Sequence, residues 1–275
     1  MREIIVSRQN PLVKKACALL EKKHRRSMKL FRFDGVKLFC EAVSLGLSLD
    51  SVILSDRANT ACAEAVEKAL NAGKIEENII YTVSESVFEK LSEEKSPEGI
   101  VTIARNLDNI SEEVAPEELS DLVRGDRILL AEALRDPGNL GTVIRSCAAL
   151  GIDSLVLSWD CADIYNPKTV RAAMGGLFRL KVYILSPDTM PQSISALRQN
   201  GRSVFAAALC DDAVDIGTLK LSFGDCFVIG NEGHGLSEEV IAACDAACVI
   251  PMKAGCESLN ASAAAAICIW ETVKV

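Results

Sequence analysis

Short apolar runs and stretches of helical spacing alternate along almost the whole chain. In the first hundred residues the pattern predicts a helix over 11–26, with Asn10 as N-cap and Pro11 at its first position. A strand over 30–33 ends at Asp34-Gly35, a helix covers 37–45, and 51–54 is a strand. Residues 60–72 are helical up to Gly73, 79–83 extended, 87–91 a short helix and 99–104 a further strand. These elements make a small α/β unit.

The rhythm then lapses. Residues 106–126 hold seven acids with little apolar periodicity and read as an acidic linker or domain boundary. It restarts more strongly with strands at 127–131, 154–157, 182–185, 203–209, 226–230 and 247–251. Helices fall between them at 140–150, 168–174, 194–200 and 238–243, and a closing helix runs over 258–273. Such strict alternation means a mostly parallel sheet covered by helices. Its ligands are expected outside the carboxyl ends of the strands.

Composition narrows the class. With 49% hydrophobic and 25% charged residues, disorder over most of the 275 residues is excluded. The longest apolar stretches, 261–270 and 204–210, fall short of the roughly 20 residues a membrane span needs. The start is charged and lacks an apolar export segment, so a cytoplasmic protein is expected. Eleven cysteines contain no C-x-x-C pair and are joined by only two histidines, so no metal centre is expected. Buried apolar thiols are the simpler reading.

Charge is unevenly spread. Residues 1–37 carry eleven Lys and Arg against three acids, a net of +8 in a chain whose formal total is −8. Among them Lys14, Lys22, Lys23, Arg25, Arg26 and Arg32 are candidates for an anionic partner. A solvated helical face is the alternative.

Three strand-end loops carry the candidate chemistry. The first is Arg135-Asp136-Pro137-Gly138-Asn139-Leu140-Gly141, followed by Arg145, which projects away from the apolar helical face of Val143, Ile144 and Cys147. The second is Gly230-Asn231-Glu232-Gly233-His234-Gly235, glycine-rich and built around a carboxylate. The third runs from Pro251-Met252 to Ser258-Leu259-Asn260-Ala261-Ser262, at the entrance of an alanine-rich helix. Taken alone, each is also read as a turn with a helix cap.

In order and spacing the three together resemble the signature motifs of the SpoU–TrmH family of RNA ribose methyltransferases, part of the SPOUT class. Asn139, Gly141 and Arg145 match the first motif, Gly230, Glu232 and Gly235 the second, and Pro251, Met252, Ser258, Leu259 and Asn260 the third. Asn10-Pro11-Leu12-Val13-Lys14 and Phe33-Asp34-Gly35 look like the opening of that family's RNA-binding domain, with Asp34 where the family commonly has Glu.

The resemblance implies an RNA substrate-binding domain over 1–105 and a trefoil-knotted, mostly parallel methyltransferase domain over 127–275. It implies S-adenosylmethionine as cofactor, held by Leu209, Gly230, Ile250 and Leu259, and a homodimer through the knotted domain. Catalysis would fall to Asn139, Arg145, Glu232, Ser258 and Asn260, acting on a ribose 2′-hydroxyl of RNA. Ribosomal RNA is preferred; transfer RNA, or a non-catalytic RNA-binding role on the same fold, are the alternatives.

Overall fold

The computed structural model describes residues 4–92, 96–231, 233–253, 255 and 258–275. The chain divides into two units, one of Met1–Leu107 with Tyr165–Phe178 and one of Asp108–Ile164 with Arg179–Val275.

The first unit begins with β1 (Ile4–Ile5), α1 (Pro11–Ala18), α2 (Lys22–Met28), β2 (Leu30–Asp34) and α3 (Val36–Ser44). It continues with β3 (Leu49–Ser55), α4 (Thr60–Asn71), β4 (Ile80–Val83), α5 (Glu85–Leu91) and β5 (Ile100–Arg105). The five strands form one mixed sheet in the order β1-β4-β3-β5-β2. Ile53, Val101 and Ile103 pack with α1 and α5 on one face, and Val52, Ile80 and Ile100 pack with α4 and Phe39 of α3 on the other.

The single helix expected over 11–26 is two helices. Leu19 and Leu20 would give their carbonyls to the amides of Lys23 and His24 in a continuous helix. Both carbonyls instead accept from Arg25 Nη1, at 2.7 Å each, while the His24 amide bonds to Glu21. A side chain has taken the place of a helical turn.

In the second unit, β6 (Ile110–Val114), α6 (Pro116–Leu122), β7 (Ile128–Ala131), α7 (Pro137–Leu150) and β8 (Ser154–Leu157) come first. The chain then supplies α8 (Pro167–Ala173) to the first unit. Back in the second follow β9 (Lys181–Leu185), α9 (Met190–Gln199), β10 (Val204–Ala207), β11 (Val214–Asp215) and β12 (Cys226–Ile229). Last come α10 (Glu238–Ala243), β13 (Ala246–Val249) and α11 (Ala261–Val273). The sheet is parallel throughout, in the order β11-β13-β10-β12-β7-β8-β9-β6. Its central strands are buried at every position, which explains their unbroken apolar runs. Ile128, Leu130, Val156 and Val228 meet α6, α9 and α10, while α7 and α11 pack together on the sheet's other side.

The acidic stretch 106–126 is more structured than a linker. β6 pairs with β9 at the sheet edge, and α6 buries Leu119. An edge strand tolerates polar positions, so Glu112 and Glu113 stay exposed while Val114 alone turns inward. Three widely spaced apolar residues, Val114, Leu119 and Val123, are too sparse to register as a period, yet each is buried.

Residues 165–178 pack within the first unit. Tyr165 and Phe178 lie against Phe31, with ring centroids 4.7 and 6.4 Å apart, and Phe178 is 5.4 Å from Phe33. Tyr165 Oη accepts from the Leu107 amide at 2.8 Å. Among the described residues no helix is long and apolar enough to cross a membrane. The described cysteines are free, and seven are buried. Burial pushes the thiols of Cys62 and Cys161 up to about 11 and those of Cys244 and Cys248 to about 12.

Candidate active site

The first loop and the third meet. Asp136 caps α7 by accepting from the Asn139 amide at 2.8 Å, and Pro137 occupies the first turn, where a missing N–H costs nothing. Asn139 is thereby held at the helix entrance with its side chain toward the third loop. Asn260 Nδ2 donates to Asn139 Oδ1 at 3.1 Å, across 121 residues of sequence. Asn260, not Ser258, is the N-cap of α11, which starts at Ala261; its Oδ1 accepts from the Ser262 amide at 3.0 Å and from Ser262 Oγ at 2.6 Å. One asparagine therefore caps a helix and bridges two loops.

Arg145 lies six residues into α7 from Asn139, on the solvent side opposite Val143, Ile144 and Cys147. Its side chain makes no hydrogen bond or ion pair with a described residue. Ser258 is exposed, and Glu232 lies outside the described residues.

A cavity of about 490 Å³ opens at the carboxyl ends of β10, β12 and β13. Leu209, Gly230, Ile250 and Leu259, the four residues expected around a cofactor, all border it, as do Ser258 and Met252. The volume is within the range of small-molecule sites. Apolar side chains form much of its wall, and Leu209 remains 65% exposed at its mouth. Gly230, Gly233 and Gly235, which have no side chain, bring backbone to its edge.

The second loop is closed on itself. The Asn231 amide donates to the Gly235 carbonyl at 3.0 Å, and the Gly235 amide returns a bond to Asn231 at 2.9 Å. A Cβ on Gly230 would fall 2.3 Å from the Gly235 carbonyl carbon and 2.6 Å from the Leu236 nitrogen. The close approach that glycine permits here is therefore to its own loop.

Two of the basic candidates are corrected by burial. Arg32 is 1% exposed, with its guanidinium bonded to Asp34 Oδ1 at 2.8 Å and to the carbonyls of Ala16 and Leu91. Arg25 is 3% exposed and serves the α1–α2 turn. Neither can reach a phosphate. Lys14, Lys22, Lys23 and Arg26 are exposed on α1 and α2; Lys23 pairs with Glu21 at 3.1 Å, and its neighbourhood lowers the Glu21 carboxyl below its ordinary value. Sequence reasoning gave no role to Glu132 or Asn231, whose side chains tie the loops together. Their signal was position alone, each directly following a strand or its terminal glycine.

Comparison with known proteins bears on this arrangement. Residues 126–270 match the SpoU rRNA Methylase family, and residues 10–102 match the MRM3-like substrate binding domain. A 23S rRNA (guanosine(2553)-2'-O)-methyltransferase of Bacillus subtilis is 29% identical, with 97% of each chain covered. A 23S rRNA (uridine(2479)-2'-O)-methyltransferase of Streptomyces viridochromogenes is 36% identical over 50% of this chain and 49% of its own. The crystal structure of an AdoMet-bound rRNA methyltransferase from Sinorhizobium meliloti superposes with a TM-score of 0.83 at 28% identity, covering 99% of this chain and 97% of that one. With the family match spanning more than half of its residues and the three loops gathered on one parallel sheet, the chain belongs to the SpoU rRNA methylase family.

Proposed function

We propose that this protein methylates a ribose 2′-hydroxyl in RNA, ribosomal RNA above all, using S-adenosylmethionine bound in the cavity beside β10, β12 and β13. The observation that carries the reading is the Asn139–Asn260 bond, which joins two motif loops next to that cavity. The cavity suits the cofactor: Leu209, Ile250 and Leu259 offer apolar surface to an adenine ring, and the surrounding loop backbone offers partners for its polar edge. When bound, S-adenosylmethionine supplies a methyl group already activated by sulfonium charge.

The protein then has to align the hydroxyl and help it lose its proton. Arg145 is solvent-facing, and a guanidinium does not deprotonate in proteins, so it acts by charge. It grips the neighbouring RNA phosphate and stabilises the developing alkoxide, with a phosphate oxygen or water taking the proton. Asn139, Asn260, Ser258 and Glu232 fix the ribose and the methionine part of the cofactor. Lys14, Lys22, Lys23 and Arg26 contribute phosphate contacts that position the RNA without reading its sequence. A second copy is proposed to pack on α11, whose Ala263, Ile267 and Trp270 share a helical face, with Trp270 53% exposed. The trefoil knot belongs to the same proposal.

Methyl label from S-adenosylmethionine is expected in ribosomal RNA as 2′-O-methyl ribose, and to be lost with Asn260→Ala. Label in transfer RNA alone would move the substrate class. No cofactor binding would favour the non-catalytic RNA-binding role. Gly230→Ala forces backbone apart in the second loop, an overpacking cost of about 1–3 kcal/mol. Calorimetry is expected to show S-adenosylmethionine affinity reduced by roughly tenfold or more; unchanged affinity would place the cofactor elsewhere.

A further inference from the structure

The turn that leaves β7 is held from two sides. Glu132 extends the ladder by donating its amide to the Ile229 carbonyl at 2.9 Å. Its carboxylate accepts from the Ser237 amide at 2.8 Å and from Ser237 Oγ at 2.7 Å. Ala133 follows with φ of 51°, a left-handed conformation that is strained for a residue with a Cβ. Its amide donates to Ser158 Oγ and its carbonyl accepts from Asn231 Nδ2, both at 2.8 Å. Leu134 donates its amide to Cys161 Sγ at 3.3 Å and accepts from the Ala162 amide at 2.9 Å. Strain of this kind persists where the surroundings over-determine it.

Asn231 borders the cavity, yet its amide is engaged at both ends, since Oδ1 also accepts from Gly233 at 2.7 Å. The side chain thus acts on Ala133 and on its own loop. Three residues beyond Ala133 comes Asp136, the cap of the helix that presents Asn139 and Arg145.

We infer that Glu132 and Asn231 are positioning residues that lock the turn 132–134 to the loop 230–237. The lock holds the cofactor wall and the helix bearing Arg145 in one register. It rests on the methyltransferase reading and deepens it. Glu132 anchors the far end of the loop through Ser237, and Asn231 anchors the near end through the Ala133 carbonyl. A polar pair at each end removes the freedom that glycines 230, 233 and 235 would otherwise give this segment.

Asn231→Asp separates this role from simple packing. It keeps the shape and the acceptor for Gly233 but turns a carboxylate oxygen toward the Ala133 carbonyl. The S-adenosylmethionine dissociation constant is expected to rise about tenfold, with a further drop of about tenfold in kcat on RNA. Glu132→Gln keeps an acceptor for the Ser237 amide and is expected to recover most of what Glu132→Ala loses. Hydrogen exchange in the protein without cofactor gives an independent reading. Amides at 133–136 and 233–237 should lose protection together in Asn231→Asp and in Glu132→Ala. A folded Asn231→Asp protein with unchanged cofactor affinity and unchanged exchange overturns the inference. If the wild-type protein binds no S-adenosylmethionine, the methyltransferase reading fails instead, and coupled exchange of the two segments alone decides the lock.

Discussion

Arg145→Ala is expected to lower methyl transfer to RNA by roughly 10²–10³, the effect typical of removing one charge-stabilising group from a transition state. S-adenosylmethionine affinity and thermal stability should stay near those of the wild type, because Arg145 is exposed and holds no described neighbour in place. The loss should appear in kcat, with a smaller rise in KM for RNA from the missing phosphate contact. Arg145→Lys distinguishes the ways an arginine could serve at this position. A lysine keeps the charge but lacks the planar fork, so partial activity with an unmoved pH profile is expected of an electrostatic role. Activity retained with the pH optimum displaced would instead make residue 145 the proton acceptor and rule out a purely electrostatic role.

The largest effect on stability is expected from Arg32→Met. The methionine fills similar space but leaves the Asp34 carboxylate buried without its partner, and the carbonyls of Ala16 and Leu91 without a donor. Breaking a buried pair from one side costs about 3–5 kcal/mol. Denaturant unfolding should show the first unit melting early while the second retains its own transition. Adding Asp34→Leu should recover part of the loss, since removing both charges is cheaper than orphaning one. Recovery would be incomplete, because two carbonyls still lack their donor. A single mutant as stable as wild type would show that Arg32 contributes nothing to the fold.

Arg32 also marks where reading the chain in order stops being informative. A strand written Leu30-Phe31-Arg32-Phe33-Asp34 suggests an arginine facing solvent between two inward phenylalanines. All five positions are buried, because both faces are covered: Arg32 lies against α1 and α5, bonded to the carbonyls of Ala16 and Leu91, while Phe31 and Phe33 pack on Tyr165 and Phe178, more than 130 residues later. Local spacing cannot announce a covering element that arrives from so far along the chain. Arg25 is hidden for a different reason: its guanidinium replaces two helical bonds, a substitution of side chain for backbone that no periodicity records. The strands of the second unit were legible because burial on both faces writes itself as a continuous apolar run. The acidic β6 was not, since in this edge strand only Val114 is fully buried and no apolar run forms.

The site divides in the same way. Asn139, Asn260, Gly230 and Leu259 stand in the motifs, and Leu209 and Ile250 followed from the family resemblance by position; the fold brings the two asparagines together and sets the other four around one cavity. Glu132 and Asn231 were not singled out, because their partners are a backbone carbonyl and a capping serine in other loops. Such bonds depend on which strands become neighbours, and β7 and β12, far apart in sequence, lie side by side in the sheet.

The placement of Tyr165–Phe178 has a consequence for how this protein can be divided or recombined. No single cut separates the halves. A fragment ending at Leu107 would leave Phe31 and Phe33 without the aromatic cover of Tyr165 and Phe178, and a fragment beginning at Asp108 would carry that cover with nothing to pack on. Exchange of the amino-terminal half between relatives would have to carry fourteen residues from the middle of the other half with it. The two halves are therefore expected to have diverged as a matched pair rather than as interchangeable modules.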